Sequence, residues 1–301
     1  MSGNLTFNRV IYREAMETHK NDVIVNSWLE LQEELFRGSW NDHIHRFRSP
    51  FVYRGLSDQS YRLWTSLIRL HGDFQRLEKH LLRSFRKYGE DIAQKCSSIW
   101  HLLTIAQHYG LPTRLMDWTY SPYVALHFAT ANHEKYDLDG VIWIVNFQMA
   151  HNRLPEELKN YLHTEGAQAF TVELLSALFR PEKDDKSSKD DSLFHDVIRS
   201  LEEFDQFKKY GEFLLFFEPP SMDERIVNQY ALFSVMPNSQ RAIDDWLANH
   251  PELYRRIIIP AELKWEFRDK LDQCNITERV LFPGLDGLSS YLRRYYSPKQ
   301  E

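Results

Sequence analysis

Apolar positions first fall into a regular spacing just after Ser27. Ser27-Trp28-Leu29-Glu30 matches a capping box, in which the Ser oxygen and the Glu carboxylate each satisfy an orphan backbone N–H. Trp28, Leu31 and Leu35 recur at i, i+3 and i+7, which predicts an amphipathic helix ending near Gly38. Phe74, Leu77, Leu81, Phe85 and Tyr88 form a second helical stripe. A third helix is predicted from Ser98 to Tyr109, stopped by Gly110 at the C′ position with Pro112 shortly after. Ser121-Pro122 reads as an N-cap followed by Pro at the first helical position, opening a helix with Val124, Ala125, Phe128 and Ala129 on one side.

Strand signals are shorter. Phe51-Val52-Tyr53 is β-prone and stops at Arg54-Gly55, whereas Val141–Val145 is apolar throughout, as suits a strand buried on both faces. Phe213–Phe217, Ala231–Met236 and Arg256–Ile259 read as further strands, followed by helices around Leu263, Phe267 and Leu271 and around Leu288, Tyr291 and Leu292. Regular βαβα alternation is missing. The pattern predicts a single α+β domain over 1–301 with a short-stranded mixed sheet, an N-terminal helical region and helical insertions. Its core is expected at about 28–149 and 205–295. The segment 150–204 reads as an insertion, and polar Pro181–Asp191 within it as a mobile surface loop.

Composition narrows the function classes. The 14% aromatic content supports a dense core without staples, and only two cysteines, Cys96 and Cys274, exclude a disulfide framework. A net charge of −6 argues against a dedicated duplex-DNA binder. Residues 1–20 lack the apolar stretch of a signal peptide, and no apolar run outlasts Val141–Val145, so a cytoplasmic protein without membrane partners is expected. His101 and His108 lie seven apart and lack the i, i+4 spacing of a zinc helix, so no metal is predicted. Phosphate-loop, nucleophile-elbow and dinucleotide-fingerprint motifs do not occur.

Two stretches carry chemistry. In Phe51–Leu56 a strand ends on Arg54, whose planar fork of donors suits phosphate or ribose recognition, and Gly55 allows a ligand or another backbone to come close. Between His101 and Thr130, Arg114, Asp117, Thr119 and Ser121 cluster within eight residues around a turn. Each also has a plainer reading: Ser121 capping its helix, Thr119 closing a turn, Arg114 pairing with Asp117.

At these stretches the sequence resembles the FRG domain family, through Tyr53-Arg54-Gly55, the run Leu103–Thr119 and Ser121-Pro122 to Phe128-Ala129. Gln229–Ser234 and Leu281–Leu288 are similar to later family elements, so the likeness runs from about Trp28 to Leu292. A further resemblance, to ADP-ribosyltransferases, rests on Arg54-Gly55 at a strand end and on Thr119-x-Ser121 before Ala125-x-x-Phe128-Ala129. It implies a transferase that uses NAD as substrate to modify a protein or nucleic acid, as a bacterial toxin or anti-phage effector. The insertion around Met149–Phe204 is a candidate surface for choosing the target or for an inhibitory or activating protein partner. Arg54, Asp117, Thr119 and Gln229 would be catalytic. Tyr53, Arg54, Gly55, Arg114, Trp118, Thr119 and Ser121 would bind NAD, with Tyr53, Trp118 or Tyr120 as the aromatic shelf. Where such enzymes place a glutamate, this chain offers Gln229, with Glu224 and Asp117 as the acidic candidates. Two other readings stand beside this one. The first is a non-catalytic module sensing a nucleotide or phosphate. The second is a metal-independent nuclease using His108, Asp117 and His127 around Arg54 and Arg114.

Overall fold

A computed structural model of the chain describes residues 20–89, 96, 98–179, 191–221 and 224–298. The chain enters on β1 (Asp22–Ile24), α1 (Trp28–Phe36) and a hairpin of β2 (Trp40–Asn41) and β3 (Arg46–Phe47). Among the described residues, the expected N-terminal helical region holds one helix beside strands that are each too short to show a period. Then come β4 (Phe51–Leu56), α2 (Phe74–Tyr88), α3 (Ile99–His108), β5 (Met116–Thr119), α4 (Pro122–Thr130) and β6 (Gly140–Asn146). Next are α5 (Phe147–His151), α6 (Glu156–Thr164), β7 (Phe170–Thr171), α7 (Val172–Leu178), α8 (Asp191–Gln206) and β8 (Leu215–Glu218). The chain closes with α9 (Glu224–Asn228), β9 (Ala231–Val235), α10 (Ile243–Ala248), β10 (Tyr254–Ile259), α11 (Lys264–Gln273), α12 (Glu278–Leu281) and α13 (Leu285–Tyr295).

Caps set several of these boundaries as the sequence predicts. Ser27 accepts from the Glu30 N–H, although the Glu30 carboxylate reaches Asn26 N rather than that of Ser27. Ser121 accepts from Val124 N at the start of α4. At the end of α3, Leu111 N bonds Ala106 O and Gly110 N bonds Gln107 O, with Gly110 at φ 81°. That is the pairing of a Schellman motif.

Eight strands form one mixed sheet in the order β1-β10-β6-β4-β5-β9-β8-β7, parallel at its two outer pairs and antiparallel elsewhere. The fold is thus α+β. Val52, Leu56, Trp118, Trp143 and Phe216 build a buried cluster on one face. On the other, Tyr53, Ile142, Ile144 and Ile257 pack under α4 and α11, while Phe217, Phe233 and Val235 pack under α3, α7 and α8. Segment 150–204 adds β7 to the sheet beside β8 and contributes Leu158, Phe170, Leu175 and Phe204 to that last cluster. Of the stretch read as a mobile loop, 181–190 lie outside the described residues, and Asp191 begins α8.

One seam interrupts this sheet. β4 pairs with β6 over all six of its residues, but with β5 only at Tyr53 opposite Thr119. The two halves, β1-β10-β6-β4 and β5-β9-β8-β7, meet there and splay apart beyond that pair.

Candidate functional site at the seam between β4 and β5

Arg54 follows the single ladder pair directly. By the alternation of a strand it lies on the face of Val52 and Leu56, in register with Trp143 of β6. Its Nη1 donates to the Asp117 carbonyl at 2.6 Å, occupying a backbone acceptor that the splayed ladder would otherwise leave unmet. The same nitrogen stands 3.7 Å from Asp117 Oδ2. Arg54 Nε is buried without a hydrogen-bond partner, as is the indole Nε1 of Trp143. Burial lowers the Arg54 pKa from its ordinary value. Asp117 works against that shift, and the charge of Arg69, exposed on the turn Ile68–Leu70, adds to it.

The Asp117 side chain is 54% exposed and held in place through the family run itself. Gln107 Nε2 donates to Asp117 Oδ2 at 2.9 Å, Thr113 Oγ1 donates to Gln107 Oε1 at 2.6 Å, and Leu115 N donates to Thr113 Oγ1 at 3.1 Å. Thr113 N and O both bond Ser66 Oγ, tying the segment after β4 to the approach to β5. The seam thus presents a braced carboxylate beside a guanidinium whose Nε has no acceptor. Such a pair can take a phosphate or a ribose hydroxyl while excluding bulk water from the cation.

Other predicted site residues have structural partners. Arg114 is 3% exposed, donates to both Glu78 oxygens at 2.6–3.0 Å, and also binds Asp205. Burial opposes its charge, but Glu78 and Asp205 outweigh that and hold its pKa above the ordinary value. The expected second phosphate ligand is therefore the centre of a buried ionic triad joining α2, α8 and the approach to β5. Thr119 Oγ1 donates to the Gln229 carbonyl at 2.7 Å and accepts from Ser121 N at 2.9 Å, which closes the turn into α4. Ser121 caps that helix.

Tyr53 is 1% exposed, and its hydroxyl donates to the Leu35 carbonyl, so it is core rather than shelf. Trp118 is 3% exposed and bonds Ser234 through its indole N–H. Of the three shelf candidates, only Tyr120 is half-buried, its ring centroid 5.0 Å from that of exposed Tyr230 with the planes tilted at 56°, and its hydroxyl donating to Glu218. Gln229 turns its amide to the Leu281 carbonyl at 2.9 Å, and Glu224 is exposed at the start of α9.

Gly55 has a packing reason. A Cβ there would stand 1.7 Å from the Ala125 carbonyl oxygen, so the close approach is by α4 and not by a ligand. Of the histidine set, His127 lies in the core. His127 is 1% exposed under α11 with Arg268 Nη1 on its Nδ1, and burial first, then Arg268, lowers its pKa to about 3. Among the described residues no cluster of three His, Cys, Asp or Glu is placed to hold a metal, and no helix is long and apolar enough to cross a membrane.

Sequence reasoning missed Glu78 and Asp205. The stripe predicted on α2 is offset by one residue, because Glu78 and Leu82, not Leu77 and Leu81, are its fully buried positions. A carboxylate at a core position was the available signal, since such groups are almost never fully buried unpaired.

Both strands of the seam, β4 and β5, and the run that braces Asp117 lie within residues 49–138, which match the family model of the FRG domain. The chain carries an FRG domain. The match takes in β4, α2, α3, β5 and α4, and stops short of Gln229, Leu281–Leu288 and segment 150–204. No curated protein and no solved structure matches the chain.

Proposed function

We propose that the FRG domain binds a nucleotide through its phosphates at Arg54, and that NAD is the ligand it uses for ADP-ribosyl transfer. The observation that carries this reading is the guanidinium at the seam, half-satisfied by the Asp117 carbonyl and with Nε buried and unmet. A phosphate oxygen supplies the missing acceptor. Cleavage of the nicotinamide–ribose bond sends the bonding pair to nicotinamide and leaves positive charge on C1′ of the ribose. The acceptor's nucleophile then bonds to C1′ and gives up its proton. Asp117 is the exposed carboxylate beside Arg54 suited both to stabilise that charge and to take that proton. Half-buried Tyr120, directly after β5, and exposed Tyr230 beside it supply an aromatic surface.

A second reading, nucleotide sensing without turnover, is favoured by Gln229, which is neutral and already bonded to Leu281. One experiment separates them. The purified chain is incubated with labelled NAD, with and without cell extract, and nicotinamide release, label transfer and thermal stabilisation are read together. Release that Arg54→Ala abolishes supports transfer, and stabilisation without release supports sensing. The absence of both release and stabilisation overturns nucleotide binding. Losing Arg54 is expected to weaken binding by about 10- to 100-fold, the worth of a charge-assisted hydrogen bond.

A further inference from the structure

Asp117 has half of its side chain in water, so solvent can satisfy its lone pairs and folding alone demands no partner for it. The chain nevertheless brings it a relay of side chains. Gln107 stands on the last turn of α3, the Gly110 stop turns the chain back, and Asp117 follows on β5. Between them Thr113 is fully buried, its backbone pinned to Ser66 Oγ at 3.0 and 3.3 Å. The spacing Gln107-x5-Thr113-x3-Asp117 thus joins a helix end to a strand across one anchored turn.

The direction of every hydrogen in this relay is set from its backbone end. Leu115 N–H can only donate, and it donates to Thr113 Oγ1 at 3.1 Å. The Thr113 hydroxyl keeps its own proton for Gln107 Oε1 at 2.6 Å. The amide is then oriented, and its Nε2 donates to Asp117 Oδ2 at 2.9 Å. The reverse amide would set Oε1 against the carboxylate with no proton between them. Arg54 Nη1 stands 3.7 Å from the same Oδ2. A proton arriving on Oδ2 would therefore meet a donor on one side and a cation on the other, which leaves Oδ1 for solvent and ligand.

We infer that Gln107 is a positioning residue for Asp117, holding it by Oδ2 so that Oδ1 meets the ligand. What Oδ1 then does rests on the transfer reading: it faces the charge that develops on C1′ and takes the proton that the acceptor's nucleophile gives up. Gln107 keeps its hydrogen bond to Oδ2 before and after that proton moves, so the carboxylate does not turn during the reaction.

Two readouts test this, one of them without ligand. In the chain labelled for NMR, the Gln107 side-chain amide should exchange its protons with water about tenfold faster once Thr113→Val removes the hydroxyl that orients it. Thr113→Ser, which keeps the hydroxyl, should restore the parent rate. Kinetics of nicotinamide release supply the second readout. Gln107→Met keeps the length of the side chain and loses the donor, so kcat should fall about 10- to 100-fold while KM, governed by Arg54, changes less than about twofold. An exchange rate indifferent to Thr113→Val overturns the inference, as does a Gln107→Met chain with the parent kcat. A parent chain that releases no nicotinamide fails the transfer reading alone, and the exchange rates then decide whether Gln107 holds Asp117.

Discussion

Arg54 and Arg114 differ in what surrounds their guanidinium groups, and that difference decides what each residue does. Arg114 has two carboxylates on it and is sealed in. Arg54 has one carbonyl, a carboxylate at 3.7 Å and an unmet Nε. Removing Arg114 leaves Glu78 buried at 1% exposure without its counter-charge, so Arg114→Ala is expected to cost roughly 3–5 kcal/mol of folding stability. Arg54→Ala should cost no more than about 1.5–3 kcal/mol, the worth of a hydrogen bond to a charged group, while removing the ligand site. Urea denaturation of both variants checks the contrast, and equal losses would mean that Arg54 too is structural. The sequence made Arg54 legible because a strand-end Arg followed by Gly is a local pattern. It made Arg114 misleading because its partners lie 36 and 91 residues away and no spacing rule links them.

At the level of elements, what was legible is what local chemistry determines. The caps at Ser27 and Ser121, the Gly110 stop and the apolar run of β6 all follow from short-range rules. Strands β1, β2, β3 and β7 have two or three residues each, too few for a period, and exist because a neighbour in the sheet supplies their hydrogen bonds. Asp117-Trp118-Thr119, read from pattern alone as part of a polar turn, is strand β5 for the same reason. It is paired with β9 over four residues.

The glycine of the Arg-Gly pair belongs at this scale, since it sets how closely α4 lies on β4. Gly55→Ala would drive a methyl group into the backbone of α4 at Ala125 and Ala129, neither of which can rotate away. A loss of at least about 3 kcal/mol is expected, the upper range for overpacking. Reduced nucleotide binding should accompany it as the seam widens. A Gly55→Ala chain as stable as the parent would show that α4 shifts freely and would remove this account of the motif.

Across the whole molecule, two histidines buried in different layers make stability depend on pH in one direction. His151 lies on the sheet face opposite to His127. Its Nδ1 meets the Gln168 carbonyl at 3.0 Å and its Nε2 accepts from Phe216 N at 2.9 Å, so the ring is held neutral as the Nδ1–H tautomer. Burial lowers its pKa to about 4, as burial and Arg268 lower that of His127 to about 3. Unfolding returns both to an ordinary value near 6.5, so below that pH the unfolded chain binds protons that the folded chain refuses. Stability is then full above about pH 6.5 and falls as pH drops, through both groups to about 4 and through His127 alone to about 3. Glu278 adds a loss of the same sign below its ordinary range. Burial raises its pKa, but the hydrogen bonds from Arg294 outweigh that and bring it down to about 2. From pH 7 to pH 5 the two histidines together are worth roughly 3–4 kcal/mol, a large part of the 5–15 kcal/mol that holds an ordinary domain folded. Urea midpoints at pH 7 and pH 5 should therefore differ clearly in the parent chain. In His151→Gln, whose amide can still donate to Gln168 and accept from Phe216, the difference should shrink by about half. Equal midpoints at the two pH values would mean that both rings take up protons while folded, and that the hydrogen bonds at His127 and His151 do not hold them neutral.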